Sequence, residues 1–286
     1  MIEKAYAKIN LSLDIKSKRE DGYHNLESIM LPIEVHDTVD ISIDKNSKDD
    51  HVIIDDFSIK VTKYNLVHRI IDAAREEFGF TEKFAVSIHK NIFLQAGLGG
   101  GSADAGAVLR AICKLLKIKP TEEQLIRIGI NIGSDVPWAI FNKPTILKSK
   151  GEDLEFFEHA APIYILLVKP KEGLSTQDVF AECDSSETLV HGNIDEVYKA
   201  YLANDFEKLD KIVFNTLQNP AINLLPEVKT VIDELRNDGF ICTMMSGAGS
   251  CCFGFTKDKA LLRKCEKKYY LKGYQVESTK FLGAKL

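Results

Sequence analysis

At 286 residues the chain is long enough for two ordinary domains of about 150 residues each, and with 45% hydrophobic and 28% charged residues it falls among globular proteins, outside the disordered and fibrous classes. Its 42 acidic and 37 basic side chains leave a net charge of -5 and are mixed along the sequence, which argues against a surface built for nucleic-acid phosphates. The opening MIEKAYAKINLSLDIKSK carries charge on both sides of a short apolar stretch and lacks the long apolar run of a leader or a membrane span, so a cytoplasmic protein is expected.

Between residues 5 and 15 the odd positions read Ala, Ala, Ile, Leu, Leu, Ile and the even ones Tyr, Lys, Asn, Ser, Asp. That alternation predicts a strand with one buried face, and Lys8 and Asn10 share the opposite, solvated one. The polar stretch KSKREDGYHNL predicts a turn at Asp21 and Gly22, with strands near 29–35 and 39–43 to follow. Tyr23 and His24 thus stand where a loop enters a sheet. Asn65 opens NLVHRIIDAAREEF, a helical pattern with Leu66, Ile70, Ile71 and Ala74 on one side and Asn65 as its N-cap.

A short strand, FAVSIHK, leads into a glycine-rich stretch, after which Val108, Leu109, Ile112, Leu115 and Leu116 form a helical stripe. Thr121 with Gln124 makes a capping box for the next helix, which Gly133 stops and Pro137 keeps from continuing. The run IYILLV at 163–168 reads as a strand buried on both faces, and a second domain is expected to begin just before it. Helices follow near 193–203, 205–215 and 226–238, then a small-residue loop at 246–250, a strand CCFGF, a helix near 258–270 and a last strand or two. The six cysteines form no CxxC pair and no zinc spacing with histidine, so reduced thiols packed as small apolar side chains are expected.

The stretch LQAGLGGGSADA, residues 94–105, sets four glycines in five residues directly before a strongly patterned helix. Glycines let the backbone turn through positive φ and approach a ligand, while the first N–H groups of a helix starting near Ser102 favour an anion. A phosphate is the natural occupant, since a mere turn built from four glycines would cost backbone entropy for nothing. The P-loop is excluded because no Gly-Lys-Ser/Thr closes the stretch, and the dinucleotide fingerprint because Ser102 stands where its third glycine should be.

Other groups are ambiguous taken singly. Asp135, in GSDVPW, is either a functional carboxylate on a turn or one that satisfies nearby backbone N–H groups. Lys8 is either a cation for phosphoryl transfer or an ordinary lysine on a solvated strand face. The loop MSGAGSC at 245–251 either lets backbone approach a ligand or makes a tight turn.

Together, AKINLSLDI, DGYHNLES, AGLGGGSADA, GSDVPW and MSGAGSCCFGF, in this order over almost the whole chain, resemble the GHMP superfamily of small-molecule kinases. The resemblance implies an α+β, two-domain GHMP kinase fold: a ribosomal-protein-type N-terminal domain over 1–155 with the phosphate loop, and a ferredoxin-like C-terminal domain over 156–286. It implies Lys8 and Asp135 as the catalytic pair and ATP with Mg2+ as cofactors. Asn65, Leu66 and Lys90 would lie around the nucleotide, and Phe93, Leu94, Gln95, Ala96, Gly97, Leu98, Gly99, Gly100, Gly101, Ser102 and Ala103 would line its phosphates. Ser102 and Asp104 are candidates to hold the metal. The chain departs from the family at Phe93, where a proline is usual.

By the same resemblance Tyr23, His24 and Phe180 wall a cytidine site, where aromatic rings suit the π faces of a cytosine, and Asn10 helps place a methylerythritol group. The activity implied is phosphorylation of a cytidine diphosphate methylerythritol at its 2-hydroxyl in non-mevalonate isoprenoid precursor synthesis. The enzyme would be a monomer or homodimer with no nucleic-acid or membrane partner. An ordinary aspartate is a far weaker base than an alkoxide, so the proton taken by Asp135 would move late. A GHMP kinase for another alcohol, and a nucleotide-binding homologue without catalysis, are the competing expectations.

Overall fold

A computed structural model describes residues 1–56, 65–186 and 189–286. In chain order its elements are β1 (Ile2–Lys18), β2 (His24–Ile43), β3 (His51–Ile54), α1 (Leu66–Phe78), β4 (Phe84–His89), α2 (Gly100–Leu115), α3 (Glu122–Ile132), α4 (Val136–Phe141), β5 (Thr145–Ser149) and β6 (Asp153–Phe156). There follow β7 (Tyr164–Lys169), α5 (Thr176–Ser185), α6 (Ile194–Leu202), α7 (Phe206–Ile212), α8 (Gln218–Leu224), α9 (Glu227–Asn237), β8 (Ile241–Met245), β9 (Cys252–Thr256), α10 (Lys259–Leu271) and β10 (Gln275–Lys280). The chain falls into two compact units, one of 1–7, 35–92 and 99–142, the other of 8–34, 93–98 and 143–286.

In the first unit, β2 from Thr38 to Ile43 pairs antiparallel with β4, and β4 pairs parallel with β3. Four helices pack on one another here. The Asn65 side chain caps α1 by accepting from the Val67 N–H at 2.8 Å, and Thr121 and Gln124 complete the capping box of α3. Both caps follow the sequence reading. Pro137 differs: it stands in the first turn of a separate short helix, α4, where its missing N–H is no loss, rather than in a turn beyond α3.

In the second unit, β2 from Leu26 to Met30 pairs antiparallel with β5, which pairs antiparallel with β6. A separate antiparallel sheet has the order β10-β7-β9-β8. With helices between β7 and β8 and between β9 and β10, this is the ferredoxin-like arrangement of a split βαβ. The central β7 is buried at Ile165, Leu166, Leu167 and Val168, as its continuous apolar run requires. One core joins Leu166 and Val168 of β7 to Val179, Leu217, Val228, Val231, Leu235, Leu262 and Tyr269.

Strand β1 corrects the sequence reading. Its odd positions are buried, but Lys8, Asn10, Ser12 and Asp14 are buried too, each at most 3% exposed. Alternation tells which side chains share a face and says nothing of what later covers it. The two strands expected at 29–35 and 39–43 are one long strand, and α5, α8 and β8 went unpredicted because their segments are short and punctuated by polar residues. All six cysteines are free and buried. No helix among the described residues is long and apolar enough to cross a membrane.

Candidate active site

Helix α2 begins at Gly100, two residues before the expected start, with Gly99 as its N-cap at φ 73°. Its first internal hydrogen bond runs from the Ala103 N–H to the Gly99 carbonyl at 2.8 Å. Helix geometry therefore directs the N–H groups of Gly100, Gly101 and Ser102 off the end, where they and the helix dipole favour an anion. Leu66 lies against Gly101, its Cδ1 3.4 Å from the position a Cβ would take there.

Lys90 reaches the same helix start. Its ammonium is paired with Asp37 and, at 2.6 Å, with Asp104, and all three side chains are at most 6% exposed. The Asp37 carboxylate also accepts from the Asn91 and Ile92 N–H groups at 2.6 and 2.8 Å, so one buried carboxylate shapes the turn leading to the loop. Burial works to lower the Lys90 pKa, but Asp104 and Asp37 outweigh it and hold the ammonium above its ordinary value. Asp104 is pushed up to about 7 by burial and by the charge of Asp37, against the pull of Lys90. Its Oδ1 is buried without a hydrogen-bond partner. Of the two metal candidates, Asp104 is thus buried, and Ser102 is half-buried in the first turn of α2.

Asp135 is the half-buried N-cap residue of α4, with the Ala139 N–H on its carbonyl at 3.0 Å.

The second unit holds residues 93–98 of the loop. Phe93 and Leu94 are half-buried, Ala96 and Leu98 are buried, and Gln95 is exposed with φ 49°. The Gln95 carbonyl accepts from the Ser250 N–H at 3.2 Å and the Ala96 carbonyl from the Cys251 N–H at 3.3 Å, while Leu98 accepts from the Lys8 N–H at 3.1 Å. Gly97, at φ 69°, presses so close to the 246–251 loop that a Cβ would fall 2.0 Å from the Ser246 carbonyl oxygen. Gly247 is equally constrained: a Cβ there would lie 2.8 Å from Lys8 Nζ and 2.9 Å from the Gly97 carbonyl oxygen. The second small-residue loop thus makes a tight turn, with Gly249 N–H on the Ser246 carbonyl, and also brings its backbone against both the first loop and Lys8. Asn215, unnoticed in the sequence, holds it by donating Nδ2 to the Met245 and Gly247 carbonyls at 2.9 and 2.8 Å.

Lys8 donates to Asn10 Oδ1. At the other end of the β1–β2 hairpin, Gly22 has φ 83° and the Arg19 N–H meets the Tyr23 carbonyl at 2.8 Å, the expected turn. His24, the first residue of β2, has its ring centroid 4.9 Å from that of Phe180 on α5, at a tilt of 36°. Asp184, one turn further along α5, reaches His24 Nε2 at 2.7 Å and Lys18 at 2.5 Å. Tyr23 is half exposed, with the Lys150 ammonium 3.9 Å from its ring centroid. Of the three expected aromatic walls, His24 and Phe180 are therefore brought together, and Tyr23 faces a cation.

The family profile described as "GHMP kinases N terminal domain" matches residues 65–143, and that of "GHMP kinases C terminal" matches 197–274. The chain belongs to the GHMP kinases. This GHMP kinase is 35% identical over 261 residues to a 4-diphosphocytidyl-2-C-methyl-D-erythritol kinase of Caldicellulosiruptor saccharolyticus, covering 91% of the chain and 89% of the relative. It is 33% identical over 277 residues to one of Clostridium tetani, covering 97% and 98%. Among solved structures it resembles a 4-(cytidine 5'-diphospho)-2C-methyl-D-erythritol kinase, with a TM-score of 0.82, 25% identity, and coverage of 99% of this chain and 100% of that one. A homoserine kinase from Cytophaga hutchinsonii shares the fold at 16% identity and a TM-score of 0.76, covering 98% and 95%.

Proposed function

We propose that this GHMP kinase transfers the γ-phosphoryl group of ATP to the 2-hydroxyl of 4-diphosphocytidyl-2-C-methyl-D-erythritol. The observation that carries the reading is the likeness of nearly the whole chain, at 35% identity over 91% of its length, to a relative of that name. The division into domains at 155 and 156 belongs to the same proposal and is supported by family matches that end at 143 and resume at 197.

Lys8 and Asp135 are the catalytic pair in this proposal. The acceptor carbon carries a methyl group, so its hydroxyl is tertiary and crowded, and positioning has to supply much of the acceleration. Asp135 takes the hydroxyl proton late in the transfer, and Lys8 stabilises charge on the phosphoryl oxygens as the loose transition state forms. The N–H groups of Gly100, Gly101 and Ser102 hold the polyphosphate, with Phe93, Leu94, Gln95, Ala96, Gly97, Leu98, Gly99 and Ala103 shaping the loop, and Asn65, Leu66 and Lys90 border the nucleotide. Lys90 contributes by fixing the helix start, because its charge is committed to Asp37 and Asp104. His24 and Phe180 hold the cytosine with Tyr23 at its edge, and Asn10 places the methylerythritol end.

Mg2+ belongs to the proposal as the ion that travels with ATP and neutralises its phosphates. Among the described residues no three His, Cys, Asp or Glu side chains gather to hold a metal. The proposed setting is a cytoplasmic enzyme, monomeric or homodimeric, with a small-molecule substrate and no nucleic-acid partner, in isoprenoid precursor synthesis. Incubation with ATP, Mg2+ and the cytidylyl methylerythritol, followed by mass analysis, should show a gain of one phosphate. Turnover of mevalonate or homoserine instead would overturn the substrate, and no transfer to any alcohol would favour a homologue without catalysis.

A further inference from the structure

Lys8, Asn10, Ser12 and Ser28 form a buried polar row in the second unit, each at most 3% exposed. The directions of its hydrogen bonds follow from chemistry alone. Ser28 Oγ lies 2.7 Å from the Ser12 carbonyl oxygen, which can only accept, so the one hydroxyl proton of Ser28 goes there. What Ser28 then offers Asn10, also at 2.7 Å, is a lone pair, and the Asn10 atom facing it must be the donor Nδ2. That orientation turns Asn10 Oδ1 toward the Lys8 ammonium, which has donors only. With the amide reversed, N–H donors of Asn10 would face the donors of the ammonium, and the proton of Ser28 is already committed to the Ser12 carbonyl.

We infer that Ser28 is a positioning residue for the phosphoryl-transfer site: its hydroxyl fixes the Asn10 amide and, through it, the place of the Lys8 ammonium. The inference rests on the reading of Lys8 as the cation that meets the transferred group. Ser28 touches no reacting atom. It acts because a hydroxyl whose one proton is committed to a carbonyl can only accept from the amide, and Ser28 of β2 makes that commitment to Ser12 of β1.

The test is a double-mutant cycle on the full chain, with Ser28→Ala, Asn10→Ala and both together, and Ser28→Thr as the conservative control. Loss of the acceptor should lower kcat about tenfold to a hundredfold with the KM for ATP changed less than about twofold, and Ser28→Thr should recover most of it. Once Asn10 is alanine, Ser28→Ala should change kcat by less than about twofold, because there is no amide left to orient. An unchanged kcat in Ser28→Ala, or the same factor lost in both backgrounds, would overturn the inference. The Lys8 ammonium is also read directly by nitrogen NMR. A hydrogen-bonded, slowly exchanging ammonium should be kept in Ser28→Thr and lost in Ser28→Ala, and equal exchange in both sinks the idea. Wild-type chain that fails to phosphorylate the cytidylyl methylerythritol overturns the substrate reading alone, since the ammonium exchange still decides the role of Ser28.

Discussion

Asp184 accepts the Nε2 proton of His24 at 2.7 Å, and the same carboxylate is clamped by Lys18 at 2.5 Å. The hydrogen bond from Lys18, above all, and that from His24 hold the Asp184 carboxyl below the usual carboxylate range in spite of partial burial. An ionised carboxylate can only accept, so the ring must present Nε2–H to it and keep its plane beside Phe180. Asp184→Ala should raise KM for the cytidylylated substrate by roughly threefold to fivefold, a modest effect because Asp184 is partly exposed. The KM for ATP should stay put; a parallel rise in both would move His24 to the nucleotide side.

Asp135→Asn keeps the size of the side chain and removes a base. A positioned base contributes about a hundredfold to ten-thousandfold in rate, so kcat should fall on that scale while the KM for ATP stays near normal. Turnover equal to wild type would remove Asp135 from the mechanism.

Gly97→Ala tests the seam between the two small-residue loops. The added Cβ meets the Ser246 carbonyl oxygen at 2.0 Å, and the backbone sits at φ 69°, so strain and collision act together. A loss of about 2 to 4 kcal/mol of stability is expected, read as a fall in melting temperature, with a raised KM for ATP in whatever protein folds. Gly101→Ala meets only a flexible Leu66 methyl at 3.4 Å and should melt close to wild type.

The pair of carboxylates at Lys90 should make stability depend on pH. Asp104 has a folded pKa of about 7, above its ordinary 3.8, so between these values the folded state binds more protons than the unfolded. Its contribution is therefore complete below about pH 3.8 and is lost as pH rises through 7. Thermal melts should show stability declining from pH 5 to 8, and Asp104→Asn, which can still accept from Lys90, should flatten that slope. An unaltered slope in the variant would place the titrating group elsewhere.

Much of the fold was legible in the residues. The Asn65 and Thr121 caps, the turn at Gly22, the helix after the glycine loop and the doubly buried β7 all rest on local rules, in which neighbours a few positions apart decide the conformation. The glycine loop was legible for the same reason, as backbone freedom next to a helix start is a local property. Asp37, Asp184, Asn215 and Ser28 carried no signal, because each matters only for the residue it meets: Lys90, His24, Gly247 and Asn10 respectively.

By itself, then, the order of residues determined where the chain can bend toward an anion, which side chains alternate, and which family motifs it carries. The tertiary structure alone decided that the polar face of β1 is buried, that the ammonium of Lys90 is committed to two carboxylates, and that one serine sets the amide beside Lys8. The difference is physical. Conformational preference acts over a few bonds, whereas burial and hydrogen-bond pairing depend on which distant segment covers a face, and that is fixed only when the whole chain packs.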